Sequence, residues 1–156
     1  MKVETRDRLR KLSERRGKEY GKLVQKLLAI AFLEADATRV VERSVQGIDL
    51  EVTLGGRRLA LEVKTTEGDS IKLGRKDVRG LVAHQADGFE VFVAVLGAGL
   101  LDEWVVARFH EGEIPADGEV KTVLLRTYRD GDIESAISDR FDEALARHLA
   151  VAVEEG

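Results

Sequence analysis

Asp49, Glu62 and Lys64 are the side chains of this sequence whose types and spacing could do chemistry. They lie in the stretch Gly47 to Thr66, GIDLEVTLGGRRLALEVKTT, which reads as two β-strands joined by a tight Gly55-Gly56 turn, since Gly-Gly between two alternating β-rich runs is a hairpin signal. A two-residue loop pairs Leu54 with Arg57 and, continued outward, sets Asp49 across from Glu62. In this register Ile48 faces Val63, Leu50 faces Leu61 and Val52 faces Leu59 on one side, while Asp49, Glu51, Glu62 and Lys64 project from the other. A slip of one residue would set leucines against carboxylates, so the pattern specifies its own pairing.

Opposed side chains in a sheet stand about 5 Å apart at Cβ, so two carboxylates meet here with a lysine two residues along the same strand face. Like charges directly opposed destabilise a sheet, and a divalent cation would offset them. Mg²⁺ accepts one or two carboxylates while keeping several waters. Lys64 would then stand where it could orient or deprotonate an attacking water, or stabilise charge developing on a phosphate. The same spacing also describes a plain hairpin with one charged, solvated face, as antiparallel sheets often have. Spacing alone leaves both readings open.

Asp49, twelve intervening residues, then Glu62-Val63-Lys64 resembles the metal-binding signature of the PD-(D/E)XK nuclease superfamily, with Gly47-Ile48-Asp49 in place of its Pro-Asp element. Within that superfamily the chain looks most like the archaeal Holliday junction resolvases. It has a basic, glycine-containing N-terminus, a first helix with a glutamate, an Asp hairpin, an E-V-K strand, and the segment Ile71-Lys72-Leu73-Gly74-Arg75-Lys76-Asp77-Val78 opening a helix. The similarity runs from about Arg15 to about Phe109.

The resemblance implies an α/β domain with a restriction-endonuclease-like core, a mixed central β-sheet flanked by helices. It implies Mg²⁺-dependent hydrolysis of DNA phosphodiesters, with Mn²⁺ able to substitute, on branched DNA, by a homodimer, in recombination and repair. Asp49 and Glu62 would be side-chain metal ligands, the Val63 carbonyl a third, and Lys64 would prepare the water. Glu19 matches the family's first-helix glutamate as an auxiliary catalytic residue, and Arg43 and Ser44 fall where the family approaches its scissile phosphate. The short Ser44-Val45-Gln46-Gly47 link departs from the longer Ser/Gly/Lys loop of the resolvases.

Around this stretch, 156 residues with 44% hydrophobic content suffice for one domain with a real core. The reading is a single domain over 1–156, with a basic arm at 1–16 and an amphipathic C-terminal helix at 133–153. There are no cysteines, which rules out disulfides and thiolate metal sites and suits the cytoplasm. The apolar runs are too short to span a bilayer, and no signal peptide is expected. Net charge is −4, yet residues 1–26 hold ten Lys/Arg against four Asp/Glu, and the rest hold 15 against 25. A basic segment on an acidic body is an electrostatic footprint for a polyanion.

From Thr5 to Phe32 the pattern is helical, with Leu9, Leu12, Leu23, Leu27 and Ile30 on one face and Arg8, Lys11, Arg15, Lys18, Lys22 and Lys26 on another. Gly17 and Gly21 would divide arm from helix. Arg15, Arg16, Lys18 and Lys22 are candidate DNA contacts, and so are Lys72, Arg75, Lys76 and Arg79 at the start of a second helix, Arg75 to Asp87, stopped by Gly88. Both basic sets also read as solvated helix faces.

Strands are expected at Arg39 to Val45, Phe89 to Leu96, Glu103 to Phe109 and Val120 to Tyr128, with a short extended piece at Ser70 to Leu73. Trp104 reads as core or subunit contact. His84, His110 and His148 show no metal-ligand spacing. Ile133, Ile137, Phe141, Leu145 and Leu149 step by four and need a surface to cover, on this chain or a second copy. Two further functions stay open: an endonuclease for repair or restriction of linear, flapped or damaged DNA, and a non-catalytic DNA-binding module. A structural assembly protein held by its last helix is a third, and it would show no salt-sensitive DNA affinity.

Overall fold

A computed structural model describes residues 19–43, 48–66, 68–97, 104–110 and 118–155, together with Asp7, Arg8, Lys11, Glu14 and Gly112. Among the described residues from Glu19 onward the elements follow in order: α1 (Tyr20–Glu34), β1 (Arg39–Glu42), β2 (Leu50–Leu54), β3 (Arg57–Thr66), β4 (Ser70–Leu73), α2 (Arg75–Ala86), β5 (Glu90–Gly97), β6 (Trp104–Arg108), β7 (Gly118–Lys121), α3 (Thr122–Arg126) and α4 (Gly131–Glu155).

The hairpin register is the expected one, with Leu50 opposite Leu61 and Leu54 opposite Arg57. Gly55 and Gly56 both take positive φ, +57° and +81°, which a two-residue hairpin turn demands and glycine adopts without a Cβ clash. The sheet is mixed, in order β1-β2-β3-β5-β6; only β3 and β5 run parallel, joined through β4 and α2. β4 pairs separately with β7.

Two apolar layers enclose the sheet. On one side α1 and α4 cover Leu50, Val52, Leu59, Leu61, Phe92 and Trp104; on the other, α2, α3 and the β4–β7 pair cover Ala60, Val91, Val93, Val95 and Val105. The long α4 starts where Asp130 accepts the N–H groups of Asp132 and Ile133, a side-chain cap for orphan donors. Its Ile133, Ile137, Phe141 and Leu145 are buried against α1 and β6 of the same chain. Trp104 is core and meets Phe141 edge-on.

Several expectations need correction. Ile48 does not share a face with Val63: it packs among Leu73, Leu81 and Val93 on the α2 side, because β2 starts only at Leu50 and strict alternation does not extend before it. The strand expected over Val120 to Tyr128 ends at Lys121. β4 offers only four residues to pair with, and Thr122 onward turns helical so that Leu125 is buried under the sheet. Gly21 lies inside α1 rather than breaking it. β1 stops at Glu42, and Ser44 and Val45 lie outside the described residues, as do Gly17 and part of the arm. α4 begins two residues earlier than 133 and extends to Glu155, and α2 ends at Ala86 with Asp87 as its cap.

Candidate metal centre

Asp49 and Glu62 meet at the end of the β2–β3 ladder. The last paired residues are Leu50 and Leu61; beyond them the Asp49 N–H donates to the Leu61 carbonyl, and Asp49 Oδ2 accepts the Val63 N–H at 2.8 Å. The expected direct opposition of Asp49 and Glu62 is therefore replaced by a one-residue irregularity in which the Asp49 side chain takes over a ladder bond. The Asp49 carbonyl is itself held by the Arg43 N–H at 2.8 Å, so β1 braces the residue from its other side.

Glu62 is 5% exposed, and its Oε2 is buried without a hydrogen-bond partner. A buried carboxylate in this state disfavours its own charge: burial first, then the charges of Asp49 and Asp77, push the Glu62 carboxyl up to about 9. Burial also raises the Asp49 carboxyl, against the lowering effect of the Val63 N–H. Lys64 extends from the same strand face, with Nζ 3.5 Å from Glu62 Oε1 and 2.9 Å from Asp77 Oδ2. Burial works against its charge, but the Asp77 hydrogen bond and the Glu62 charge outweigh it and hold the lysine above its ordinary range.

These donors fit a hard divalent cation. Two carboxylates converge, and one buried oxygen lacks any partner; such an atom costs free energy until something positive satisfies it. Among the described residues no group of three or more His, Cys, Asp or Glu side chains is gathered for a metal. A two-carboxylate set is nevertheless what Mg²⁺ accepts, its remaining positions being water or substrate oxygens.

The other candidates are placed less closely. Glu51 does not join the pair: its Oε1 is taken by Arg43 Nε and His84 Nε2, each at 2.8 Å. Arg43 is thus engaged by Glu51 on the hairpin. Glu19 is the exposed N-cap of α1. The α1 side chain that reaches the site is Gln25, whose Nε2 donates to the Asp49 carbonyl at 3.5 Å. Six residues advance a helix about 9 Å and about one and two-thirds turns, so Glu19 and Gln25 point in different directions. Lys22, Lys72, Arg75, Lys76 and Arg79 are exposed; Arg15, Arg16, Lys18 and Ser44 lie outside the described residues.

Asp77 and Gln25 are the contacts that sequence reading missed. Asp77 sits inside the quoted IKLGRKDV segment, and a carboxylate two residues after a helix start was its only signal. Nothing in the sequence marks Gln25.

Sheet order, hairpin site and flanking helices together define a restriction-endonuclease-like α/β fold. The solved structure of Hjc, a Holliday junction resolvase from the archaeal hyperthermophile Archaeoglobus fulgidus, has this fold: the chains share 16% identity at a TM-score of 0.52, over 65% of this chain and 91% of Hjc. No protein-family model and no curated protein matches the chain.

Proposed function

We propose that this chain is a Mg²⁺-dependent endonuclease acting on branched DNA, in the manner of a Holliday junction resolvase. The observation that carries the reading is the partnerless buried Oε2 of Glu62 beside Asp49, with the Lys64 amine on the same strand face. Fold similarity to Hjc supports the choice of nuclease chemistry and of a four-way junction as substrate.

Asp49 and Glu62 would hold the ion through side chains, with the Val63 carbonyl as a further ligand and Mn²⁺ able to replace Mg²⁺. When bound, the ion supplies positive charge against the scissile phosphate and makes water a better nucleophile at neutral pH. The protein's own part is to fix these groups. The Val63 N–H holds Asp49 in one orientation, and Glu62 would have to be ionised, its proton passing to solvent, to serve as a ligand. Lys64 Nζ, held cationic, donates to the attacking water or to a non-bridging phosphate oxygen as charge develops there. Water adds to phosphorus and gives up its proton to bulk water, while the P–O bond to the leaving sugar oxygen breaks and that oxygen takes up a proton from solvent, leaving a phosphate monoester and a free hydroxyl. Lys72, Arg75, Lys76 and Arg79 would meet the DNA backbone beside the site, where exposed N–H groups at the start of α2 favour phosphate. A homodimer would set two such centres on the two-fold axis of a junction. Among the described residues no helix is long and apolar enough to cross a membrane.

The deciding experiment is cleavage of a labelled four-way junction beside a linear duplex of the same sequence, with Mg²⁺ or EDTA, for wild type and Asp49→Ala. Junction-selective, metal-dependent cuts lost in the variant are expected. Cutting of both DNAs would leave a nuclease with another substrate, such as a repair or restriction-type enzyme. Salt-sensitive binding with no cutting would leave a DNA-binding module and refute catalysis.

A further inference from the structure

Asp77 stands outside the Asp49, Glu62 and Lys64 set, yet it touches that set. It is the third residue of α2, and one oxygen, Oδ2, makes two bonds: it accepts the Gly74 N–H at 3.0 Å and a hydrogen bond from Lys64 Nζ at 2.9 Å. The first bond fixes the carboxylate. The Gly74 N–H stands at the helix entry, where backbone donors lack intrahelical partners, and a carboxylate in the first turn also suits the helix dipole. The second bond is shorter than the 3.5 Å from the same Nζ to Glu62. A lysine side chain is a point charge on a flexible four-carbon stem, so without a fixed partner its amine samples many positions.

We infer that Asp77 is a positioning residue: anchored on the Gly74 N–H, it holds Lys64 Nζ at the Glu62 end of the site and joins that amine to the start of α2. The inference rests on the nuclease reading above and adds a residue to it. It has a structural consequence that a helix cap alone would lack. α2 carries Arg75, Lys76 and Arg79 within the same turn and a half, so a shift of this helix on DNA moves Asp77 and, with it, the amine.

Asp77→Asn separates positioning from capping. Asparagine retains an oxygen for the Gly74 N–H but removes the charge that holds Lys64. With Mg²⁺ and a four-way junction, kcat is expected to fall about 10- to 100-fold, the scale of a misplaced catalytic group. KM for the junction and the thermal midpoint should stay near wild type, and Asp77→Glu should recover part of kcat. A second readout does not use cleavage. Lysines are ¹³C-methylated in the metal-free protein, and the Lys64 resonance is identified by its loss in Lys64→Arg. That signal is expected to be shifted from those of exposed lysines in wild type and to join them in Asp77→Asn. If Asp77→Asn leaves both kcat and the Lys64 resonance unchanged, the inference is overturned while the nuclease reading stands. If wild type cleaves no DNA, the nuclease reading falls, and the resonance alone then upholds or refutes the hold of Asp77 on Lys64.

Discussion

Asp49 Oδ2 accepts the backbone N–H of Val63 at 2.8 Å, so the side chain proposed to hold a cation also closes the sheet where its ladder ends. The two roles separate by substitution. Asp49→Asn keeps an acceptor for Val63 and removes the negative charge; it should unfold near wild type while losing Mg²⁺ binding and cleavage. Asp49→Ala should lose both activities and also leave the Val63 N–H without its partner, at a cost of about 1–3 kcal/mol. Urea denaturation of both variants, beside Mg²⁺ titration by calorimetry, checks the pair of outcomes. Equal stability of Asn and Ala variants would contradict the structural role.

Glu62 gives the metal-free protein an unusual pH response. Its folded-state pKa is raised from 4.5 to about 9, so above about pH 4.5 the unfolded chain releases a proton that the folded chain keeps. Folding then loses stability as pH rises from about 4.5 to about 9. Glu62→Gln mimics the protonated form, so in EDTA its melting midpoint should exceed that of wild type at pH 8, with the gain shrinking to nothing near pH 4.5. Mg²⁺ should reverse the order, stabilising wild type only. Ion binding near pH 7 should also release protons, detectable by repeating the calorimetry in buffers of different ionisation enthalpy.

At the far end of β3 an opposite shift acts. Glu90 accepts two bonds from Arg57, each at 2.9 Å, and one from Arg108 at 2.8 Å. The Arg57 bonds first, then that of Arg108, hold its carboxyl down to about 2. A depressed carboxylate stabilises the fold above its unfolded pKa of about 4.5, and that contribution is lost as pH falls through about 2. Glu90→Gln should therefore lower stability at pH 7 by about 1 kcal/mol, allowing for solvent screening of a partly exposed network. The difference from wild type should vanish near pH 2. A thermal series from pH 7 to pH 2 measures it.

The hairpin was legible because three signals agree at short range: the Gly-Gly turn, alternation on both strands, and a register that a slip would ruin. Leu50, Val52, Leu59 and Leu61 all took their expected face. Legibility ended where the ladder ends. Ile48 changed side where the β2–β3 ladder gives out, with the Asp49 N–H on the Leu61 carbonyl and the Asp49 side chain on the Val63 N–H, contacts that local composition does not announce. The run from Val120 to Tyr128 is rich in Val, Leu, Thr and Tyr, which suits a strand, but Val123, Leu124 and Leu125 in succession also suit a helix; pairing with β4 stops at Lys121 and Thr122 to Arg126 is helical. Asp77 and Gln25 reach the site by packing of helices that are distant in sequence from the hairpin. Glu19 had the expected chemistry on the expected helix, but the helix presents Gln25 to Asp49 instead.

The basic entry to α2 can be tested apart from catalysis. Lys72 projects from β4 between buried Ile71 and Leu73, and Lys76 and Arg79 are exposed on α2 close to Asp77. If these cations meet phosphates, each contact releases counterions, and the slope of log K against log[salt] falls by about 0.9 for each one removed. Lys72→Ala, Lys76→Ala and Arg79→Ala should each weaken binding to a four-way junction in EDTA and reduce the slope by about that amount. They should act on linear and branched DNA alike, because phosphate contacts carry no base sequence. Thermal midpoints should stay near wild type, since exposed surface charges contribute little to stability. Fluorescence anisotropy from about 50 to 200 mM salt, the range over which such affinities fall steeply, measures both quantities. An unchanged slope in all three variants would remove this face from the DNA interface and leave the N-terminal basic segment to account for binding.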